Sequence, residues 1–227
     1  MTQASELTPE IEGVSVVLVG SFNPAIFQPQ WFARMGLVRP QEAEGEACKI
    51  EIVRPEVTVC TVGPFHYEVD TVRFAASTTS LDALTSLRDL VVNTFRILEH
   101  TPLTAMGLNR HMHFKMASEA DYHDVGHRLA PKALWDGLIA NPGLASLQIS
   151  GLSNGNRPRR FTVSVQPSSK VKPGVFIATN EEYKVEQENA PELLTLLQDN
   201  WESTQRGART MAGELLARCL AKVTDAE

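Results

Sequence analysis

The chain reads as an α+β fold: two pseudo-repeated β-α-β-β-β-α units sharing a mainly antiparallel sheet, with the long helices on one face. Three observations predict this. Residues 14–99 and 103–222 run through the same order of apolar periodicities while sharing little literal sequence. Each run closes on a long stretch with apolar residues three and four apart, the mark of an amphipathic helix. The segments between are short, alternating and bounded by turn residues, which suits antiparallel pairing. One such unit covers its sheet poorly. Two side by side, at residues 14–101 and 102–222, bury it as one compact domain.

Taken in order, residues 14–19 are a nearly continuous β-branched run, as expected of a strand buried on both faces. Asn23 and Pro24 mark a turn. Ile26, Phe27, Trp31, Phe32 and Met35 have helical spacing, and Gly36 ends that segment. Residues 39–48 read as a polar loop, followed by strands at 50–53, 57–62 and 67–74. Leu81, Leu84, Leu87, Val91, Phe95 and Leu98 form the first long helical stripe, with Ser80 as its expected N-cap. The second half opens with a strand over 103–116. A helix follows, started by Ser118 and interrupted at Pro131. Strands at 147–152, 161–166 and 175–179 precede a helix that Pro191 opens and that carries Leu193, Leu197, Trp201, Ala208, Leu215 and Cys219. Residues 1–13 and 223–227 are expected to be flexible ends.

Composition narrows the function. With 227 residues, 43% hydrophobic and 21% charged, the chain has ordinary globular values and enough length for a substantial core. A formal charge of −6 counts against a general nucleic-acid binder. Only residues 156–160, with Arg157, Arg159 and Arg160, are strongly cationic, and these read as a hairpin tip. Binding of single-stranded nucleic acid through residues 157–160 is the third functional reading. Cys48, Cys60 and Cys219 form no CxxC pattern, as expected in a reducing cytoplasm. The N-terminal residues have no apolar core of a signal peptide, and no apolar run approaches ~18 residues. A cytoplasmic protein without membrane spans is expected.

The dense polar constellation is His111, His113, His123 and His127. The first two are two apart on a strand and the last two are four apart on a helix, so each pair shares a face. The spacing suits a divalent metal, and a metal-dependent hydrolase is the alternative reading. The strand's own alternation argues otherwise. Met106, Leu108, Met112 and Phe114 claim the core side, leaving Asn109, His111, His113 and Lys115 on the opposite face, away from the helix of His123 and His127. Arg73, Thr162 and Ser164 alternate in the same sense on other strands. Together these seven residues predict a polar sheet face for a partner. No GxSxG, GxGxxG, Walker loop or HExxH is present, and no catalytic residue or cofactor is assigned beyond the possible divalent metal.

The runs at 20–27, 87–90, 99–102 and 107–109, with those at 130–132 and 173–175 and Trp135, resemble a group of bacterial proteins of unknown function. The resemblance spans most of the chain and implies a bacterial origin, no activity and no functional residues. The leading expectation is a non-enzymatic interaction or assembly protein that binds a protein partner or itself through the polar sheet face or the long-helix surface.

Overall fold

The β-branched run that opens the chain lies mid-sheet as strand β1 (Ile11–Gly20) in the computed structural model, which describes residues 7–153, 159–185 and 189–221. The strand starts three residues ahead of the apolar run, because Ile11, Glu12 and Gly13 pair with His113, Met112 and His111. It ends at Gly20, where a Cβ would stand 2.1 Å from the Pro102 carbonyl oxygen, so only glycine lets the chain turn there. Asn23 then caps a 3₁₀ turn (Pro24–Ile26), its side chain accepting from the Ala25 amide at 3.2 Å. Helix α1 (Pro29–Arg34) follows with Pro29 in its first turn, where a missing N–H costs nothing. The expected polar loop at 39–48 instead holds two 3₁₀ turns, Pro40–Ala43 and Gly45–Ala47, with Ala43 buried.

Four strands come next, not three: β2 (Cys48–Arg54), β3 (Val57–Val62), β4 (Phe65–Asp70) and β5 (Arg73–Thr78). The single strand expected at 67–74 is broken by Asp70. Its Oδ1 accepts from the Val72 and Arg73 amides, both at 2.7 Å, and an aspartate so placed closes a tight turn within an otherwise alternating run. The first half therefore departs from the predicted β-α-β-β-β-α order by one strand. Ser80 is not the cap of a long helix either. A 3₁₀ turn (Leu81–Ala83) leads into helix α2 (Leu84–Ile97), and the Thr78 hydroxyl takes the Ser80 amide.

The second half comprises β6 (Leu103–Lys115), α3 (Glu119–Leu129), a 3₁₀ turn (Lys132–Trp135), β7 (Leu147–Leu152), β8 (Arg160–Pro167), β9 (Gly174–Lys184) and α4 (Ala190–Leu220). Ser118 caps α3 as its sequence predicts, accepting from the Asp121 amide at 3.1 Å. Strand β9 runs five residues past its expected end, through Glu181 and Tyr183, whose polarity disguised it.

The nine strands of the described residues all pair antiparallel in one sheet of order β2-β3-β4-β5-β1-β6-β9-β8-β7. The fold is α+β, with α2, α3 and α4 on one face. Strands β1 and β6 sit together, each flanked by the last strand of its own meander. Under α2, α1 and the start of α4 lies one core, in which Phe95 meets Phe74 edge-on at 5.0 Å and Phe22 at 5.9 Å. A second core gathers Met112, Phe114, Val125 and Ile177 under the end of α4, at Ala212 and Leu216. Helix α4, 31 residues and roughly 46 Å long, spans both.

Between the cores α4 covers a polar layer that pattern reading passed over. The alternation that buries Leu108 and Met112 also buries Arg110. Its Nε donates to Glu12 Oε2 at 3.0 Å, and its Nη1 donates to the Gln205 side-chain and main-chain oxygens at 3.2 and 3.3 Å. Arg209 donates to the other Glu12 oxygen. Beside it Tyr183 and Thr204 share a 3.0 Å hydrogen bond, Thr204 donates to Glu181 at 2.8 Å, and Arg159 pairs with Glu181 while stacking 4.4 Å over the Tyr183 ring. Buried charges persist only when partnered in this way.

Candidate functional site

Strand β6 has one face toward the helices and one toward the open side, because side chains alternate along a strand. Asn109, His111, His113 and Lys115 take the open side. Cross-strand register sets them beside Ser15 and Gly13 of β1 and beside Asn180, Ala178 and Phe176 of β9. Thr162 and Ser164 of β8 pair with Asn180 and Ala178, and so continue the same face. Arg73 lies on it across β1, where its guanidinium meets Glu68 at 3.5 Å. Six of the seven predicted residues thus line adjoining shallow depressions of about 430, 540 and 380 Å³, and His111 borders all three. Lys115 stands apart at the strand end, exposed, with Nζ 3.9 Å from Glu10.

The hydrogen bonding of this face is specific. Asn180 donates to Asn109 Oδ1 at 2.7 Å. Gly107 makes room for it, since a Cβ there would meet the Asn180 amide nitrogen at 2.7 Å. Thr162 and Ser150 hydroxyls pair at 3.0 Å. His111 and His113 both lean on Phe176, with ring centroids 6.1 and 4.7 Å away. His113 is nearly buried, and its Nδ1 lies 2.8 Å from Ser168 Oγ. That oxygen already accepts from the Lys170 and Val171 amides, so its proton goes to His113 Nδ1 and the neutral ring carries its own proton on Nε2. Burial pushes both imidazoles below their usual range. The Lys170 ammonium adds to the effect, and for His113 so does His111.

No sequence motif marks this serine–histidine pair, because Ser168 lies 55 residues from His113. It resembles a nucleophile with its base, but Ser168 is buried and its oxygen holds a turn together. A nucleophile needs a free lone pair facing a substrate. What the face offers is a row of hydrogen-bonding side chains, with Arg73, Glu68, Arg160 and Glu182 as charged groups around it.

The four histidines do not share a site. His123 and His127 lie on α3 with ring centroids 6.5 Å apart, bordering a cavity of about 370 Å³ between α3 and β8 with Lys132 and Leu144. Helix α3 packs in the helix layer through Val125, so the sheet separates this pair from His111 and His113. No group of three or more potential ligands occurs among the described residues. In the cationic hairpin, Asn156, Arg157 and Pro158 lie outside the described residues. Arg159 is committed to Glu181 and Tyr183, while Arg160 borders the open face. No described helix is long and apolar enough to cross a membrane. Compared with protein-family models and with curated proteins, the chain matches none.

Proposed function

We propose that this is a non-enzymatic bacterial interaction protein that receives a protein partner on the open face of its sheet, with His111 at the centre of the contact. One observation carries the reading: on the face opposite the helices His111 is exposed and Asn109, Asn180, Thr162 and Ser164 are partly so, a row of hydrogen-bonding side chains beside the buried Ser15 and His113. Antiparallel sheets tolerate a wet face, and the shallow depressions around His111 give that face relief a partner can fit. A partner of extended chain or flat polar surface matches such a face better than a small molecule, which needs enclosure. The imidazole, hydroxyl and amide groups of the face suit hydrogen-bonded recognition, and Arg73, Glu68, Arg160 and Glu182 add charge at its sides.

Two finer points belong to the same proposal. The two halves are copies of one ancestral unit, a reading supported by the matching places of β1 with β5 and β6 with β9 about the centre of the sheet. The protein works in a reducing cytoplasm, in keeping with three unpaired cysteines, of which Cys60 is pushed up to about 12 by burial and is therefore inert.

The test is an Asn109→Ala/His111→Ala variant compared with wild type by co-purification from the native host and mass spectrometry. Loss of the same captured protein, with stability within about 0.5 kcal/mol of wild type as for surface changes, supports the reading. Unchanged capture refutes it. Stoichiometric metal in untagged protein that is lost in a His111→Ala/His113→Ala variant would replace it with metal chemistry.

A further inference from the structure

The two edges of the sheet are built differently. An edge strand offers unpaired N–H and C=O groups, and proteins guard such edges with charge, bulges or proline. Strand β2 is guarded: it carries Lys49, Glu51 and Arg54, and its register slips between Ile50 and Ile52. Strand β7 has neither device. Its sequence, LQISGL, is without charge and its pairing with β8 is regular over all six residues. Ile149 and Leu152 on it are 59% and 71% exposed. The segment leading into β7 exposes Leu134, Trp135, Leu138 and Ile139 as well. Among the described residues, six of the fourteen exposed large apolar ones therefore fall between positions 134 and 152.

We infer that β7 is a self-pairing edge, and that two copies of this chain join β7 to β7 antiparallel about a twofold axis normal to the sheet. The occupant is a second copy because the strand matches itself. Centred on Ile149, the pairing sets Ile149 against its counterpart, Gln148 against Ser150 and Leu147 against Gly151. Apolar side chains then meet on the helix side, and amide meets hydroxyl on the open side. A twofold contact requires such self-complementarity. It also places like charges opposite one another, and in a chain of net charge −6 an uncharged strand is where two copies can approach. The product would be one continuous eighteen-stranded sheet, twice the nine of one chain, carrying two open faces on the same side.

The full chain is tested by light scattering after size exclusion over about 1–100 μM, a range that spans ordinary association constants. Wild type should run near 50 kDa, twice the 25.0 kDa of one chain. Ile149→Lys should raise the dissociation constant at least ~100-fold, because it sets two ammonium groups face to face. Ile52→Lys on the guarded edge should leave the dimer intact. Mixing I149K with I149E should restore dimers that neither forms alone, which separates pairing at residue 149 from misfolding. Circular dichroism of each variant checks the fold. A monomeric wild type overturns the inference. So does a dimer that survives I149K, or one that I52K abolishes.

Discussion

Removing Arg110 tests the polar layer under α4 most directly. In Arg110→Met the apolar stem is kept and the guanidinium lost, along with its bonds to Glu12 and to Gln205. Glu12 stays buried, with only Arg209 to partner it, and Arg209 is 47% exposed. Gln205 already has a side-chain nitrogen without a partner among the described residues, and its oxygen would join it. Breaking a buried ion pair from one side costs about 3–5 kcal/mol. The Arg209 contact that remains places this case near the lower end, about 3 kcal/mol, still a large part of the ~5–15 kcal/mol that holds a domain folded. The paired change Glu12→Leu/Arg110→Met should recover most of the loss, to within about 1–2 kcal/mol of wild type, because it leaves no buried carboxylate unpaired, the Gln205 amide being the part not recovered. Urea unfolding followed by tryptophan fluorescence, to which buried Trp201 contributes one helical turn from Gln205, reads all three variants. A loss below ~1 kcal/mol for Arg110→Met would mean that water reaches the layer. A double variant as unstable as the sum of its singles would mean that the two residues are not coupled.

Phe95→Ala should cost about 3–5 kcal/mol, since it empties the centre of the phenylalanine cluster where Phe22, Phe27 and Phe74 converge; a denaturation loss below ~1 kcal/mol would contradict that packing. The depressed imidazoles of His111 and His113 set a pH dependence. In the unfolded chain they take up protons near pH ~6.5, whereas the folded protein resists until lower pH, so their contribution is complete above that value and is lost as pH falls below it. A His111→Asn/His113→Asn variant should flatten the rise of stability with pH between about 5 and 7, measured by denaturant titration at each pH; an unchanged slope would show that these rings titrate normally.

The open face was legible because strand alternation is a local property. Once Met106, Leu108 and Met112 were assigned to the core, the positions of Asn109 and His111 followed. The separation of the two histidine pairs followed too, since a helix packing on the apolar side must leave a strand's polar side. Periodicity alone could not see why Arg110 interrupts the apolar row, because its partners, Glu12 and Gln205, lie about a hundred residues away on either side. The same blindness hid the extension of β9, where Glu181 and Tyr183 look solvated until Thr204 and Arg159 are brought beside them.

By itself the sequence determined the α+β class, the long helical stripes, the Ser118 cap and the polar alternation of β6, each governed by contacts within a few residues. Only the tertiary structure decided that Asp70 splits one apparent strand into two, and that Ser168 holds the tautomer of His113. It alone showed that β2 and β7 are the two edges of the sheet and that the pairing slips at one and is regular at the other. Turn closure, partnering of buried charge and edge exposure depend on which distant segments become neighbours, and spacing along the chain carries no measure of that.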